Sequence, residues 1–363
     1  MKRIFPTLIQ VGMFLLVLEL GSRALLCLTP ITKEISKNDC DVTSRWYWVK
    51  DQRFPKPASR RFDVDRYDPT KGWVLIPNLK DKLCFRNKFI NTNSRGIRGN
   101  AEYQYARDNG KLRILFLGDS FTFGLEVSDN ETYPSYLQQM QPDAEVINMG
   151  VQGYGHDQML IYLKEEGIKY RPDIIILGYL SMDKDRNMRE FSFRAKPRFK
   201  LDNNQLKVCN VPVPSPAMIL KEEPWRSRFL DLVDILMYEI SLKDGVYASS
   251  RELITDAILR QIVDTAKGIG AVPLFLYLDD VRSKDPDQGI TEEEKSFLAR
   301  CQKVPVPCIF TRQEVYAARL KGVKIKESDH FGPETNRLIA LGIKDYLLKN
   351  GLLGVRRTVM MKN

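Results

Sequence analysis

From residue 111 onward, short continuous apolar runs alternate with stretches of helical period. Leu112–Leu117, Ala144–Met149, Asp173–Leu180, Val272–Leu278 and Val306–Phe310 each predict a strand. The third, DIIILGYL, is the most continuously apolar, as a strand buried on both faces should be. Between them, Leu253, Ile254, Ala257, Ile258, Ile262 and Val263 recur at the 3.6-residue period. Thr291 with Glu294, and Thr311 with Glu314, spell capping boxes. Pro333 opens a last helix whose end Gly351 marks. Strands alternating with helices predict an α/β fold of the flavodoxin-like, three-layer α/β/α kind, with a mostly parallel sheet.

Upstream the pattern is different. Residues 72–99 hold short strand-like runs around Leu83–Phe85 and Lys88–Ile90, closed by Gly96 and Gly99. Residues 31–70 are polar, basic and Pro-containing, and read as a linker ending at Tyr67-Asp68-Pro69. Residues 184–250 interrupt the α/β rhythm with Pro197, Pro212, Pro214, Pro216 and Pro224, then an amphipathic stretch near Phe229–Ile240. An insert of this size predicts a lid or substrate wall on one domain spanning 71–352, with a basic tail over 353–363. Residues 1–30 form a separate segment. Behind Met1-Lys2-Arg3, the stretch Ile4–Leu28 is long enough to cross a bilayer, which takes about 20 residues. Glu19 and Arg23 fall inside it at i,i+4 and can pair. No small-x-small site follows, and Leu26 precedes Cys27 where lipidation wants a small residue. These features predict an uncleaved transmembrane anchor, over a cleaved signal, with the body exported.

Composition narrows the class. The chain has 363 residues, 43% hydrophobic and 28% charged, with 22 Gly and 19 Pro, which excludes collagen-like, coiled-coil and disordered readings. Its mean hydropathy of -0.32 excludes a multi-span membrane protein. The formal charge is +10. Lys50, Arg53, Lys56, Arg60, Arg61 and Arg66 cluster before the domain, and Arg356, Arg357 and Lys362 follow it. Beside an anchor, that charge predicts attraction to anionic headgroups or surface polymers, and no nucleic-acid partner. Six cysteines without C-x-x-C spacing disfavour a zinc site. In an exported body Cys301 can bridge to Cys308 and Cys40 to Cys84, against the plainer state of free buried thiols. Oligomeric state is left open.

Three stretches can carry chemistry. Gly118-Asp119-Ser120 directly follows a strand, where open parallel sheets place their sites. Ser120 is a candidate nucleophile whose N–H can also face an oxyanion; the bland alternative is a helix cap with Asp119 in a turn. Asn148-Met149-Gly150-Val151-Gln152-Gly153 follows the second strand, and its glycines let backbone approach a ligand. Its spacing is not the dinucleotide fingerprint, so no nucleotide cofactor is expected. Glu327-Ser328-Asp329-His330 precedes the last helix. A nucleophilic serine needs a base, and the base needs an acid to orient it. The chain has only two histidines, His156 and His330, and His330 is the better base because it lies beside carboxylates on the final loop. Glu327, three residues before it, is the first choice of acid and Asp329 the second.

The order of these blocks resembles the SGNH/GDSL hydrolase superfamily. Gly118-Asp119-Ser120 looks like its nucleophile block, Asn148–Gly153 like its second block and Glu327–His330 like its Asp-x-x-His block. Tyr67-Asp68-Pro69, Asn93–Gly99 and Tyr170-Arg171-Pro172-Asp173 resemble a bacterial subset with an N-terminal membrane anchor. The resemblance implies a Ser120–His330–acid triad cleaving an ester, with Gly153 as oxyanion glycine and Asp119 and Asn148 in support. It implies no cofactor and no metal. It permits two other outcomes: an O-acyltransferase acting on an acylated surface glycan, or a non-catalytic binding protein on a degenerate hydrolase fold. One departure stands out. Where the third block supplies an oxyanion Asn, this chain has Ser181-Met182-Asp183, leaving Ser181, or Asn187 folding back, as substitutes.

Overall fold

The computed structural model describes residues 4–28, 34–35, 39–54, 64–106, 110–279, 290–323, 325 and 329–353. Two helices, α1 (Ile4–Leu26) and α2 (Asp41–Arg53), precede two hairpins. The first pairs β1 (Asp65–Asp68) with β2 (Gly72–Leu75), the second β3 (Lys82–Leu83) with β4 (Phe89–Ile90). The main unit then runs β5 (Leu112–Gly118), α3 (Ser120–Phe123), α4 (Tyr133–Met140), β6 (Ala144–Gly150), α5 (His156–Glu165), β7 (Ile174–Tyr179) and α6 (Asp183–Arg186). The insert contributes β8 (Arg198–Asp202), β9 (Gln205–Cys209), α7 (Pro216–Glu222) and α8 (Arg228–Lys243). Then come α9 (Val246–Gly268), β10 (Val272–Tyr277), α10 (Glu292–Lys303), β11 (Cys308–Phe310), α11 (Arg312–Leu320) and α12 (Pro333–Lys349).

Five strands form one parallel sheet in the order β11-β10-β7-β5-β6. Renumbered within the sheet this is 2-1-3-4-5, the flavodoxin-like order, whose ligand crevice lies where the winding reverses, between β5 and β7. Alternate side chains feed opposite faces, as the pleat demands. Ile114 and Phe116 join a core with α4, α11 and α12 through Leu137, Val315, Leu338 and Ile343. Leu115 and Leu117 join another with α5, α9 and α10 through Leu160, Ile258, Ile262 and Phe297. The protein is therefore a three-layer α/β/α fold.

Two glycines let the turn that carries Ser120 sit at the carboxyl end of the sheet. A Cβ on Gly118 would run into the Thr122 side chain, and one on Gly150 into the backbone of Thr122 and Phe123. Only hydrogen at these strand ends allows α3 to pack so close.

Differences from the sequence reading have local causes. The stretch read as linker carries α2 and β1, because Val42 and Val49 of α2 are buried beneath the insert and β1 pairs with β2. At Thr291 the capping half of the box forms, the hydroxyl accepting from Glu294 N, whereas Thr311 makes no such bond. Its ψ of 10° is not the extended cap conformation, and Gly342 of α12 packs against its methyl group. The pair Cys301–Cys308 is a disulfide, whereas Cys40 and Cys84 are buried free thiols.

Arg98, inside the N-S-R-G-I-R-G stretch, is buried and clamps the loop after α3. It donates to the carbonyls of Phe123 (2.9 Å), Gly124 (3.3 Å) and Val127 (2.9 Å) and pairs with Asp129 at 2.6 Å. Arg98→Ala strands these acceptors and should cost about 3 kcal/mol or more. An unchanged denaturant midpoint would show the clamp to be dispensable.

Candidate active site

Ser120 stands at the first position of α3, at the carboxyl end of β5. Asp119 caps this turn by accepting from Phe121 N at 3.0 Å, which fixes the direction of the Ser120 side chain. The Ser120 hydroxyl lies 2.9 Å from His330 Nε2 and 3.4 Å from Asp119 Oδ2, so the imidazole is the better partner. Ser120 is 7% exposed, enough to open on solvent. His330 is held by Phe121, its ring 4.7 Å away, and Phe121 packs in turn on Phe331. Residues 210 positions apart thus meet at one hydrogen bond.

The far nitrogen of His330 faces an acid the sequence reading missed. Nδ1 lies 3.6 Å from Glu126 Oε1, within ion-pair range but beyond a direct hydrogen bond. Such contacts are commonly long before substrate binds. Glu126 is 8% exposed. Glu327, the first choice of acid, lies outside the described residues; Asp329 is exposed. Glu126 had a signal: it is the one charge in the run Phe121–Val127, where Thr122 is the one other polar side chain. Burial lowers the His330 pKa below its ordinary 6.5, against the opposing charges of Asp119, Glu126 and Asp329.

His156 is a different kind of residue. It is fully buried, stacked on Tyr179, with Nδ1 3.2 Å from Asn187 Nδ2. Burial holds its pKa down to about 3, so it stays neutral. Asn187, which also donates to Thr255 Oγ1, is committed here and does not fold back as an oxyanion donor.

The second block lies beside the Ser120 turn, with Val151 N bonded to Gly118 O at 3.1 Å. Asn148 donates to Thr122 O and accepts from Gly150 N, bracing the α3 turn against β6. Gly153 has φ +77°, and a Cβ there would meet the Phe193 ring at 2.8 Å. Among the described residues the N–H groups of Ser120 and Gly153 donate to no protein group. Ser181 differs from expectation. Its N–H is engaged by Asp279 Oδ2 at 2.8 Å, because Asp279 follows β10, the strand next to β7. Only its hydroxyl remains to offer. Met182 is 40% exposed.

Arg186, also missed, joins the three blocks. Its Nη1 donates to Asp119 Oδ2 (3.0 Å), to the Tyr154 carbonyl (3.0 Å) and to Asp183 Oδ1 (2.5 Å). Both carboxylates are fully buried, and burial followed by the charge of Asp119 pushes Asp183 well above the ordinary carboxylate range. Away from these residues, a cavity of about 310 Å³ lies between α2 and the insert, lined by Cys40, Arg45, Phe191 and Tyr238 among others. The hydrogen-bonded pair, not this cavity, marks the site.

No family model and no curated protein matches the chain. Among solved structures it is similar to a member of the lipolytic protein G-D-S-L family from Veillonella parvula DSM 2008, at 12% identity over 66% of this chain and 99% of that one, TM-score 0.37. It is also similar to Axe2, an acetylxylan esterase from Geobacillus stearothermophilus, at 14% identity over 68% and 97%, TM-score 0.37. A further neighbour is the acetyl xylan esterase AlAXEase, at 11% identity over 65% and 100%, TM-score 0.38.

Two outcomes are expected. In NMR titration of the two imidazoles, His156 stays neutral to about pH 3 and His330 titrates below 6.5. Glu126→Gln lowers His330 further, because it removes a charge that favours the imidazolium; an unmoved His330 would separate the two groups. Arg186→Met leaves two buried carboxylates unpaired and should cost about 3–5 kcal/mol of unfolding free energy. Adding Asp183→Asn should restore part of that loss.

Proposed function

We propose that the protein is a membrane-anchored serine hydrolase that cleaves an ester bond. The observation that carries the reading is the 2.9 Å contact of Ser120 Oγ with His330 Nε2, backed by a carboxylate at Nδ1. His330 takes the hydroxyl proton as Ser120 attacks the ester carbonyl. The N–H groups of Ser120 and Gly153 receive the oxyanion. His330 then protonates the departing alcohol, leaving an acyl group on Ser120. A water, deprotonated by His330, releases the acid and restores the serine. Glu126 steadies the imidazolium that forms twice in this cycle, in the role first expected of Glu327 or Asp329.

Two observations support the location. Helix α1 is long and apolar enough to cross a membrane by length and composition. The Cys301–Cys308 disulfide suits a body held in an oxidising compartment. A small acyl ester or an acylated glycan is the substrate class.

Ser120→Ala should lower turnover of a short acyl ester by about 10³-fold or more with the fold intact, and abolish labelling by a fluorophosphonate. Glu126→Gln should lower kcat/KM by about 10²–10⁴-fold, and Asp329→Asn by much less. Since the base must be neutral, kcat/KM should rise with pH through a midpoint below 6.5. Full labelling of Ser120→Ala would remove Ser120 as nucleophile. A panel of acyl esters run with and without a carbohydrate acceptor separates hydrolysis from transfer.

A further inference from the structure

Helix α8 in the insert is apolar on its outer side as well as at the buried Ile235, which packs with Val42 beneath it. Its inner side carries Asp231, fully buried and held by Trp46 Nε1 (3.1 Å), Arg226 Nε (2.5 Å) and Arg228 Nη1 (2.7 Å). Its outer side carries Leu230, Val233, Leu236, Met237 and Ile240, each 37–59% exposed, with Asp234 the one charge among them. A helix on a water-facing surface turns polar residues outward. A contiguous apolar face marks contact with another apolar phase.

That phase is identified by α1, against which α8 packs. Glu19 of α1 caps α8: its carboxylate accepts from Ser227 Oγ (2.7 Å), Arg228 N (3.1 Å) and Phe229 N (3.1 Å). Arg23, paired with Glu19, donates to Arg226 O at 3.0 Å. The two charges inside the apolar segment are thereby satisfied by the start of α8. Length supplies the next constraint. Leu18, Glu19, Ser22 and Leu26 face the body, while Ile9–Val17 are exposed. Even counted from Ile4, the stretch before Leu18 is about 14 residues, or ~21 Å at 1.5 Å each. A hydrocarbon core is about 30 Å thick. The window apolar enough to cross, Ile9–Leu26, includes the packed stretch, so immersing it takes the first turn of α8 along. Just before α8, an open depression of about 490 Å³ is lined by Arg45, Lys221 and Arg226 beside Met218 and Trp225, with Glu222 the one acid. Trp225 is 85% exposed. Arg45 and Arg226 there are already paired with Glu223 and Asp231, so it is Lys221 beside Trp225 that suits an anionic headgroup layer.

We infer that the outer face of α8, with Trp225, lies in the interface of an anionic phospholipid bilayer, seating the body against the membrane beside its anchor. This rests on the reading of α1 as a span, so both are measured together. The full-length chain is reconstituted in phosphatidylcholine–phosphatidylglycerol vesicles whose acyl chains carry bromine at shallow or deep positions. Trp225 emission is obtained by subtracting W225F, and single reporters are added in that background as L236W on α8 and F14W on α1. Deep bromines should quench F14W; shallow bromines should remove most emission from Trp225 and L236W, with little loss to aqueous acrylamide. If F14W is quenched while Trp225 and L236W answer only to acrylamide, α8 faces water and the inference is overturned with the anchor standing. If they answer to neither quencher, protein covers the face, as in pairing with a second copy, and the inference is again overturned. If F14W escapes bromine, the anchor fails and the inference with it.

Discussion

The arrangement depends on one partly buried cation. Arg186, at the end of the short helix α6 that follows β7, gathers a carboxylate from the loop after β5, a carbonyl from the loop after β6 and the carboxylate of Asp183 at the start of its own helix. Each of those segments leaves the carboxyl end of a neighbouring strand at the point where the sheet reverses its winding. The sheet brings the three segments near one another. The guanidinium fixes their separation, because two buried carboxylates would otherwise repel and draw in water. The turn that carries Ser120 is capped by one of those carboxylates, so the direction of the hydroxyl and the charge balance beneath it share a residue.

Around that point the chain arranges acids by burial. Asp119 and Asp183 lie fully buried against Arg186, and Asp157 is paired with Lys196, also fully buried. Glu126 is left nearer the surface, facing the imidazole. Burial favours the neutral form of the His330 ring, and the charges of Asp119 and Glu126 favour its charged form. The second histidine has no such neighbour. It is held neutral in the core as a stacking partner of Tyr179.

Much of this was legible before the coordinates. The five strands stand out as apolar runs because a parallel sheet covered on both faces has no polar side. The strand-end glycines at 118 and 150 and the serine and histidine on opposite ends of the domain were visible as motifs. Three things were not. Glu126 and Arg98 act across contacts set by loop packing, which no local period encodes. Thr311 carried a correct capping signal that the packing of α12 overrode. The amphipathic stretch at Phe229–Ile240 was read correctly as two-sided, but a wheel does not say which side faces the body.

The sequence by itself determined the layers, the strand set, the anchor-like first helix and the residues able to do nucleophilic chemistry, because these follow from short-range pattern and residue type. Tertiary structure decided which carboxylate faces His330, that Ser181 gives its N–H to Asp279, and that α8 keeps an apolar face outward while Asp231 and Ile235 are buried. Those outcomes depend on distances between segments far apart in the chain. Such distances arise only once the sheet has closed and buried charges have found their partners.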